Sequence, residues 1–191
     1  MTWRLAVCLI ACSLGAATAS AAPAPTALRQ WVAFQGGEID PGVHVLVHAT
    51  GSCSGRSLAD PRPDAWRCSA QGETQDPCFS GSPRFLLCPY GTPDSRDALE
   101  LRLTRPLPAR SASPSGPHLG APWVIELRGR YCYRATGTPL VLRGRPASYV
   151  CAGASSLAGL PDRSRAAWTI GFLASPAARG YVTAAVSAAW W

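Results

Sequence analysis

The chain has 191 residues, with 18 basic residues, 11 acidic residues and a formal net charge of +7. Every basic residue is an arginine, because the sequence contains no Lys, and it contains no Asn either. These absences exclude N-glycosylation at an Asn sequon and every mechanism that needs a lysine, such as Schiff-base formation or phosphate binding by a P-loop. The apolar content of 47% is ordinary for a globular protein, and the length suits one domain or two small ones.

Residues 1–19 have the organisation of a secretory signal peptide. Arg4 carries a positive charge, residues 5–17 form an apolar run, and Ala17-Thr18-Ala19 supplies small residues for cleavage. The run is too short to persist as a membrane-spanning helix, and Pro or charged residues interrupt every later apolar stretch. We therefore predict an exported protein, either secreted or in the periplasm or cell envelope, with no transmembrane helix in the mature chain.

The leader also contains a second pattern. Leu9-Ile10-Ala11-Cys12 resembles a bacterial lipobox, in which Cys12 would be lipidated and become the mature N-terminus. Few apolar residues precede Cys12 and the apolar run continues beyond it, which favours ordinary cleavage. Lipidation of Cys12 is therefore kept as the alternative to free secretion.

Strand-like segments begin after an Ala/Pro-rich stretch at residues 20–30, where we expect a flexible mature N-terminus. Val43, Val45 and Val47 recur with a period of two, and residues 98–103 alternate Leu with Glu and Arg. Such alternation is typical of strands with one face in water. Turn residues separate these segments, which predicts a first β-rich unit over residues 31–107.

A stretch rich in Pro, Ser and Gly follows, and we interpret residues 108–120 as a linker. A second β-rich unit is predicted over residues 121–191, with residues 181–189 as a single closing strand although the composition of 184–189 also suits a helix. The fold class is therefore mostly β, in one or two small disulfide-stapled domains. The extended segments of the second unit are 123–127, 131–134, 140–142, 168–173 and 181–189.

An internal repeat relates the two units. Residues 62–68 and 145–151 both read R-P-x-x-aromatic-x-C, and Cys53 and Cys132 match with a slightly smaller offset. Cys78 and Cys88 have no cysteine counterparts in the second half. The pattern predicts two tandem β-rich repeats, the first with one additional staple, although two unrelated disulfide hairpins would also look alike.

Six cysteines follow the leader, and an even number in an oxidising compartment predicts three disulfides. Many pairings are open, and we favour nearest neighbours because each bond then closes a short loop: Cys53–Cys68, Cys78–Cys88 and Cys132–Cys151. Zinc would be the competing use of these sulfurs, but no C-x-x-C spacing occurs. We therefore predict no metal site and no cofactor.

Two patterns invite a catalytic or metal-binding interpretation. His44 and His48 would share a face of a helix, but in a strand they lie roughly 13 Å apart, too far to bind one ion. Gly51-Ser52-Cys53-Ser54-Gly55 has the form of a nucleophile elbow, which needs a following helix and an unbonded nucleophile. We expect solvent-facing histidines and a disulfide-bonded Cys53 instead.

The carboxylate pairs Asp60/Asp64 and Asp94/Asp97 could serve acid–base chemistry across a cleft. Asp beside Pro and Ser is more typical of turns. We therefore predict no catalytic residue.

Aromatic and basic residues are the remaining candidates. Six tryptophans follow the leader, and we assign Trp66, Trp123 and Trp168 to the core and leave Trp190-Trp191 open. The arginine excess could attract acidic partners, but the arginines are scattered along the chain. We expect no nucleic-acid binding.

The string at Cys53 to Cys88, C-S-G-R-S-L-A-D-P-R-P-D-A-W-R-C followed by D-P-C-F and L-L-C-P, resembles a group of secreted, largely uncharacterised bacterial proteins. The second half adds Y-V-C at 149–151, P-D-R-S at 161–164 and then A-W-T. The resemblance covers most of the mature chain. It implies an exported, disulfide-bonded protein and supplies no activity and no catalytic residue.

Together these features predict an exported, disulfide-rich, non-catalytic binding or structural protein of the cell envelope or extracellular space. The alternatives are an exported hydrolase with an unrecognised site and an extracellular hydrolase inhibitor. In the inhibitor, a stapled loop such as residues 78–88 would be held rigid for a partner's cleft. The sequence does not identify a partner, and an envelope polymer or an extracellular protein is the candidate.

Overall fold

The computed structural model describes residues 22–82, 84–108, 120–138, 140–153 and 155–191. Within these ranges the chain forms strands and turns and no helix, which confirms the mostly β fold. The leader at 1–19 with Cys12, and residues 109–119 of the linker interpretation, lie outside the described residues. The strands, in chain order, are β1 (Ala27–Arg29), β2 (Phe34–Gln35), β3 (Glu38–Ile39), β4 (His44–Arg56), β5 (Ala65–Ala70), β6 (Glu73–Ser80), β7 (Phe85–Pro89), β8 (Asp97–Leu103), β9 (Val124–Leu127), β10 (Arg130–Arg134), β11 (Val141–Leu142), β12 (Arg145–Cys151), β13 (Ser156–Asp162), β14 (Thr169–Leu173), β15 (Val182–Ala185) and β16 (Ala188–Trp190).

Strands β4 to β8 form a closed barrel, here called the N-terminal barrel. Successive strands are antiparallel, and the barrel closes where the first half of β4 runs parallel to β8. Strand β4 is 13 residues long and pairs with two strands: its first half pairs with β8 and its second half with β5. Register shifts after Val45 and Cys53 accompany this change of partner, as expected where bulges bend a strand.

The remaining long strands form one sheet, here called the C-terminal sheet, in the order β1-β16-β9-β10-β12-β13-β14-β15. All neighbours are antiparallel except β1 and β16. The segment from Val182 to Trp190 supplies two strands that lie at opposite sides of the sheet. β15 is an edge strand paired with β14, whereas β16 lies between β1 and β9. The single closing strand expected over 181–189 is therefore two strands, and their partner changes at Val186-Ser187.

The two units share a strand order over much of their length. In the barrel, the second half of β4 is followed by β5, β6, β7 and β8, each antiparallel to the previous strand. In the C-terminal sheet, β10 is followed in the same way by β12, β13, β14 and β15. The units differ at the first half of β4, whose counterpart by the sequence offset is β9, a strand that turns back on β10.

The segment that precedes the barrel pairs with the C-terminal sheet. Ala27–Arg29 form β1 on the outside of the C-terminal sheet, whereas the Ala/Pro-rich composition predicted a flexible segment over 20–30. The Thr26 hydroxyl donates to the Val186 carbonyl at 2.8 Å, and the Trp31 amide donates to the Trp191 carbonyl at 2.9 Å. Composition alone misleads here because tertiary hydrogen bonds, rather than local propensity, order this segment.

A buried cluster joins the two units. Trp31 and Phe79 stack with ring centroids 5.4 Å apart, and Trp123 and Trp190 belong to the same cluster. The prediction that Trp66, Trp123 and Trp168 lie in the core is confirmed, and Trp190 is buried as well. One of the three buried cores therefore lies between the units, in addition to a core within each of them.

Three disulfides hold neighbouring strands together. Cys53–Cys68 joins β4 to β5, Cys78–Cys88 joins β6 to β7, and Cys132–Cys151 joins β10 to β12. These are the pairs that lie nearest to one another in the sequence. A disulfide that closes a loop of this length stabilises the fold by roughly 3 kcal/mol in the chain-entropy account.

Candidate binding surface

The cysteine of the elbow-like motif has no thiol to offer. Cys53 is 2% exposed and bonded to Cys68. The whole motif from Gly51 to Gly55 lies inside β4, and the strand is followed by a loop and then β5 rather than by a helix. A bonded sulfur in a continuous strand cannot act as a nucleophile.

The two strand histidines lie beside carboxylates across the seam where the barrel closes. His44 Nδ1 is 3.9 Å from an Asp97 oxygen, and His48 Nδ1 is 3.6 Å from Glu100 Oε1. Both imidazoles are about two thirds exposed, as expected for solvent-facing positions of a strand. Across the described ranges, no three His, Cys, Asp or Glu side chains are grouped so that they could bind a metal ion.

The paired carboxylates are committed to separate contacts. Asp60 is buried and bonded by Arg62, with Arg62 Nε 3.1 Å from Asp60 Oδ2. Asp94 lies at the surface, where it accepts from Arg29 and from the Tyr131 hydroxyl. That hydrogen bond raises the pKa of Tyr131 to about 12. Asp60 therefore takes part in a buried contact and Asp94 in contacts at the surface.

A buried polar cluster lies under the loop that follows β4, and Asp76 in it was not singled out by the sequence. The Ser57 hydroxyl donates to Asp76 and accepts the amides of Ala59 and Asp60 at 3.0 and 2.8 Å. Asp76 also accepts the Leu58 amide at 3.2 Å. Burial raises the pKa of the Asp60 and Asp76 carboxyl groups above the ordinary value of 3.8, although hydrogen bonds to each of them oppose the shift.

Two arginines connect this cluster to the C-terminal sheet. Arg67 bonds Asp76 at 3.1 Å and the Thr136 carbonyl at 3.2 Å. Arg134 crosses in the other direction and donates to the Ala59 carbonyl at 3.0 Å, and burial lowers its pKa. The acceptors are occupied by backbone amides and guanidinium groups, which is the arrangement of a structural joint between two units.

Charge is unevenly divided between the units. Residues 31–107 hold seven arginines and nine acidic residues, a net charge of −2. Residues 121–191 hold eight arginines and only two acidic residues, a net charge of +6. The positive charge of the protein is therefore concentrated in its C-terminal half, which the scattered positions of the arginines in the sequence conceal.

The arginines of the C-terminal half are also unpaired with acids. Ion pairs in the described part of the chain use carboxylates from residues 31–107, and no arginine of 121–191 is in one. Seven of the eight are exposed: Arg128, Arg130, Arg143, Arg145, Arg163, Arg165 and Arg179. Only Glu126 and Asp162 are acidic in this half, so an exposed set of arginines outside ion pairs attracts anions.

Three of these arginines lie over aromatic rings. The distances from the guanidinium carbon to the ring centroid are 5.2 Å for Arg128 over Phe172, 5.8 Å for Arg145 over Tyr181 and 5.6 Å for Arg163 over Trp168. Stacking orders a guanidinium group while leaving N–H donors at its edge. The structure therefore presents these cations on a supported surface.

The described part of the loop between Cys78 and Cys88 lies in contact with the β2–β3 hairpin. The Phe34 ring lies against Gly81, so close that a Cβ at that position would be 2.2 Å from it. Phe34 also contacts Phe85, with ring centroids 5.8 Å apart. The β2–β3 hairpin thus packs on this turn.

Together, these features define a disulfide-bonded all-β protein whose C-terminal half carries exposed arginines, three of them over aromatic rings. Neither a family model, nor a curated protein, nor a solved structure matches the chain. The described residues contain no helix that is long and apolar enough to cross a membrane. The structural disulfides are compatible with an extracellular or envelope location.

Proposed function

We propose that the chain is an exported, non-catalytic binding protein of the cell envelope or extracellular space, and that its C-terminal half binds an anionic partner. One observation carries the proposal: seven exposed arginines of residues 121–191 lie without carboxylate partners in the described structure. Such a surface gains affinity and association rate from an anionic ligand, and loses both as salt is added.

Export is supported by two independent features. Residues 1–19 have the order of a signal peptide, with a charged start, an apolar run and a small-residue cleavage site. All six cysteines after the leader are used in disulfides, which persist in oxidising compartments.

A binding role is supported by the way in which the candidate nucleophile and acids are used. Cys53 is bonded, and Asp60 and Asp76 accept hydrogen bonds from backbone and arginine donors within the joint between the units. Exposed arginines held over aromatic rings instead suit recognition of a negatively charged surface.

We also infer that the two units are tandem repeats. The inference is supported by the shared strand order and by the disulfide between the first two corresponding strands of each unit, Cys53–Cys68 and Cys132–Cys151. If it is correct, sequences related to this chain should retain R-P-x-x-aromatic-x-C in both halves.

The binding role is tested by measuring how strongly the mature protein is retained on a column of immobilised heparin, a polyanion that contains no lipid, as the salt concentration is raised. Removing two exposed charges from the C-terminal half, with Arg130→Ser and Arg165→Ser, should move elution to clearly lower salt. The matched control removes two exposed charges from the other half, with Arg84→Ser and Arg105→Ser, and should elute close to wild type.

Equal shifts for both pairs would mean that only total charge matters and would contradict the proposal. A wild-type protein that passes through the column unretained in 50 mM salt (about 14 Å of screening length) would contradict it as well. Circular dichroism of each variant verifies that the fold is unchanged.

A further inference from the structure

We propose that residues 140–146, here called the hairpin tip, dock the protein on a membrane surface of anionic lipids. The inference rests on the proposed function, because it names the anionic partner. The tip is the turn between β11 and β12, and its sequence is L-V-L-R-G-R-P. It lies within the loop closed by Cys132–Cys151.

The tip combines exposed apolar and exposed basic side chains. Leu140 is 46% exposed and Val141 is 60% exposed, and both lie next to the exposed arginines Arg143 and Arg145. Apolar side chains can enter the boundary between headgroups and acyl chains while the arginines contact the phosphates. Three apolar residues and two arginines in seven positions suit such a contact.

The tip is held in a defined shape. Arg143 and Gly144 have φ values of 51° and 72°, which closes a tight hairpin turn between the paired residues Leu142 and Arg145. The Tyr181 hydroxyl donates to the Leu142 carbonyl at 3.3 Å, and the Arg145 guanidinium lies over the Tyr181 ring. Because the turn is ordered beforehand, less conformational entropy is lost on docking.

The surroundings of the tip favour an anionic partner. No Asp or Glu occurs between Leu127 and Pro161, so the two strands that carry the tip contribute no negative charge. Arg179, which is exposed, precedes Tyr181 by two residues and adds a further cation to the segment that contacts the tip. Charge complementarity therefore points to a negatively charged surface.

The apolar residues distinguish a membrane from a soluble polyanion. A sugar or phosphate polymer interacts with arginines, but it gains little from exposed Leu140 and Val141. A lipid surface rewards both, since each basic residue near anionic headgroups strengthens partition by about fivefold and apolar insertion adds to it. This difference gives the inference a test of its own.

The experiment measures cosedimentation of the mature protein with vesicles of phosphatidylcholine alone and of phosphatidylcholine with phosphatidylglycerol. Wild type should bind the anionic vesicles and only weakly the neutral ones. Arg143→Ser with Arg145→Ser should reduce partition by about tenfold or more, whereas Arg130→Ser with Arg165→Ser removes the same charge elsewhere and should reduce it less.

The apolar contribution is tested by Val141→Ser against a matched control. Leu46 is also 60% exposed but lies on the N-terminal barrel, so Leu46→Ser removes a comparable side chain far along the chain from the tip. Val141→Ser should lower partition onto anionic vesicles several-fold and leave heparin retention unchanged. Leu46→Ser should change neither measurement.

The outcomes separate this inference from the proposed function. Heparin retention without binding to anionic vesicles would overturn the membrane inference and leave the proposed function standing. Failure to bind either one would overturn both. If neither Val141→Ser nor Leu46→Ser changes binding to anionic vesicles, the binding is general electrostatic attraction. That result would also overturn the role of the tip.

Discussion

At the scale of single residues, the buried carboxyl groups show where local chemistry and burial compete. Asp60 and Asp76 each have an arginine and backbone amides as partners, yet desolvation is the largest influence and raises the pKa of both. A raised pKa means that folding favours the protonated form. The ionised groups at neutral pH therefore oppose folding in part, and the hydrogen bonds around them offset that cost.

Asp76→Asn tests this balance. As pH falls from neutral towards 3.8, the wild-type protein should gain stability from protonation of Asp76, because its pKa in the folded state lies above the ordinary value. The variant cannot gain it. The difference in thermal midpoint between wild type and variant should therefore widen on acidification, measured by circular dichroism at several pH values, on top of a loss of about 1–3 kcal/mol at neutral pH.

A difference that narrows as the pH falls would mean that the arginine, rather than burial, dominates the titration of Asp76. Asp162→Asn is a suitable control. That carboxyl group is exposed, and backbone and side-chain hydrogen bonds from Ser164 lower its pKa. Because its pKa is lowered, the ionised Asp162 makes a small contribution to the stability of the fold, and this contribution should be lost as the pH falls.

At the scale of strands and hairpins, sequence patterns predicted where strands occur but not which strands pair with each other. Alternation in residues 43–48 and 98–103 predicted β4 and β8, because a period of two is typical of strands. In β8, however, Ala98 to Leu101 are all buried, so the face that was expected to lie in water is partly covered. Nothing in that alternation indicates that the two strands run parallel or that they close a barrel. Strand pairing joins residues about 50 positions apart, as in His44 with Asp97, and local patterns do not report it.

Gly81→Ala tests the packing of the β2–β3 hairpin on the barrel. The added Cβ would be 2.2 Å from the Phe34 ring, so the hairpin has to move, and we expect a loss of about 1–3 kcal/mol in a urea denaturation. In the Phe34→Ala background the same substitution should cost much less, because the ring that it collides with is gone.

Additive effects of the two substitutions would show that the contact between Phe34 and Gly81 is not the cause. Gly55→Ala is the comparison, because nothing lies within 4 Å of a Cβ at that glycine.

At the scale of the whole molecule, the junction between the units is a buried core, like the cores within each unit. Trp31, Phe79, Trp123 and Trp190 come from both sequence halves and form one buried cluster. The strand β1 precedes the barrel in sequence but pairs with β16 of the C-terminal sheet. Two units connected in this way should not be independent folding units.

We therefore expect the mature protein with its disulfides intact to unfold in a single cooperative transition. Scanning calorimetry should give equal calorimetric and van't Hoff enthalpies. Trp31→Ala should lower the stability of the whole protein by about 3–5 kcal/mol, since it opens a cavity between the units. Two resolved transitions, with Trp31→Ala affecting neither, would contradict this account.

Local sequence patterns were enough to predict that the chain is mostly β and that its cysteines suit three local disulfides, because strand alternation and short loops are properties of neighbouring residues. The charge of each half also follows from composition. Three features emerged only when the chain was folded: the pairing of β1 with the C-terminal sheet, the burial of Asp76 beside Ser57, and the exposure of Leu140 and Val141 next to Arg143. Burial and exposure arise from contacts between distant segments, and no local pattern carries that information.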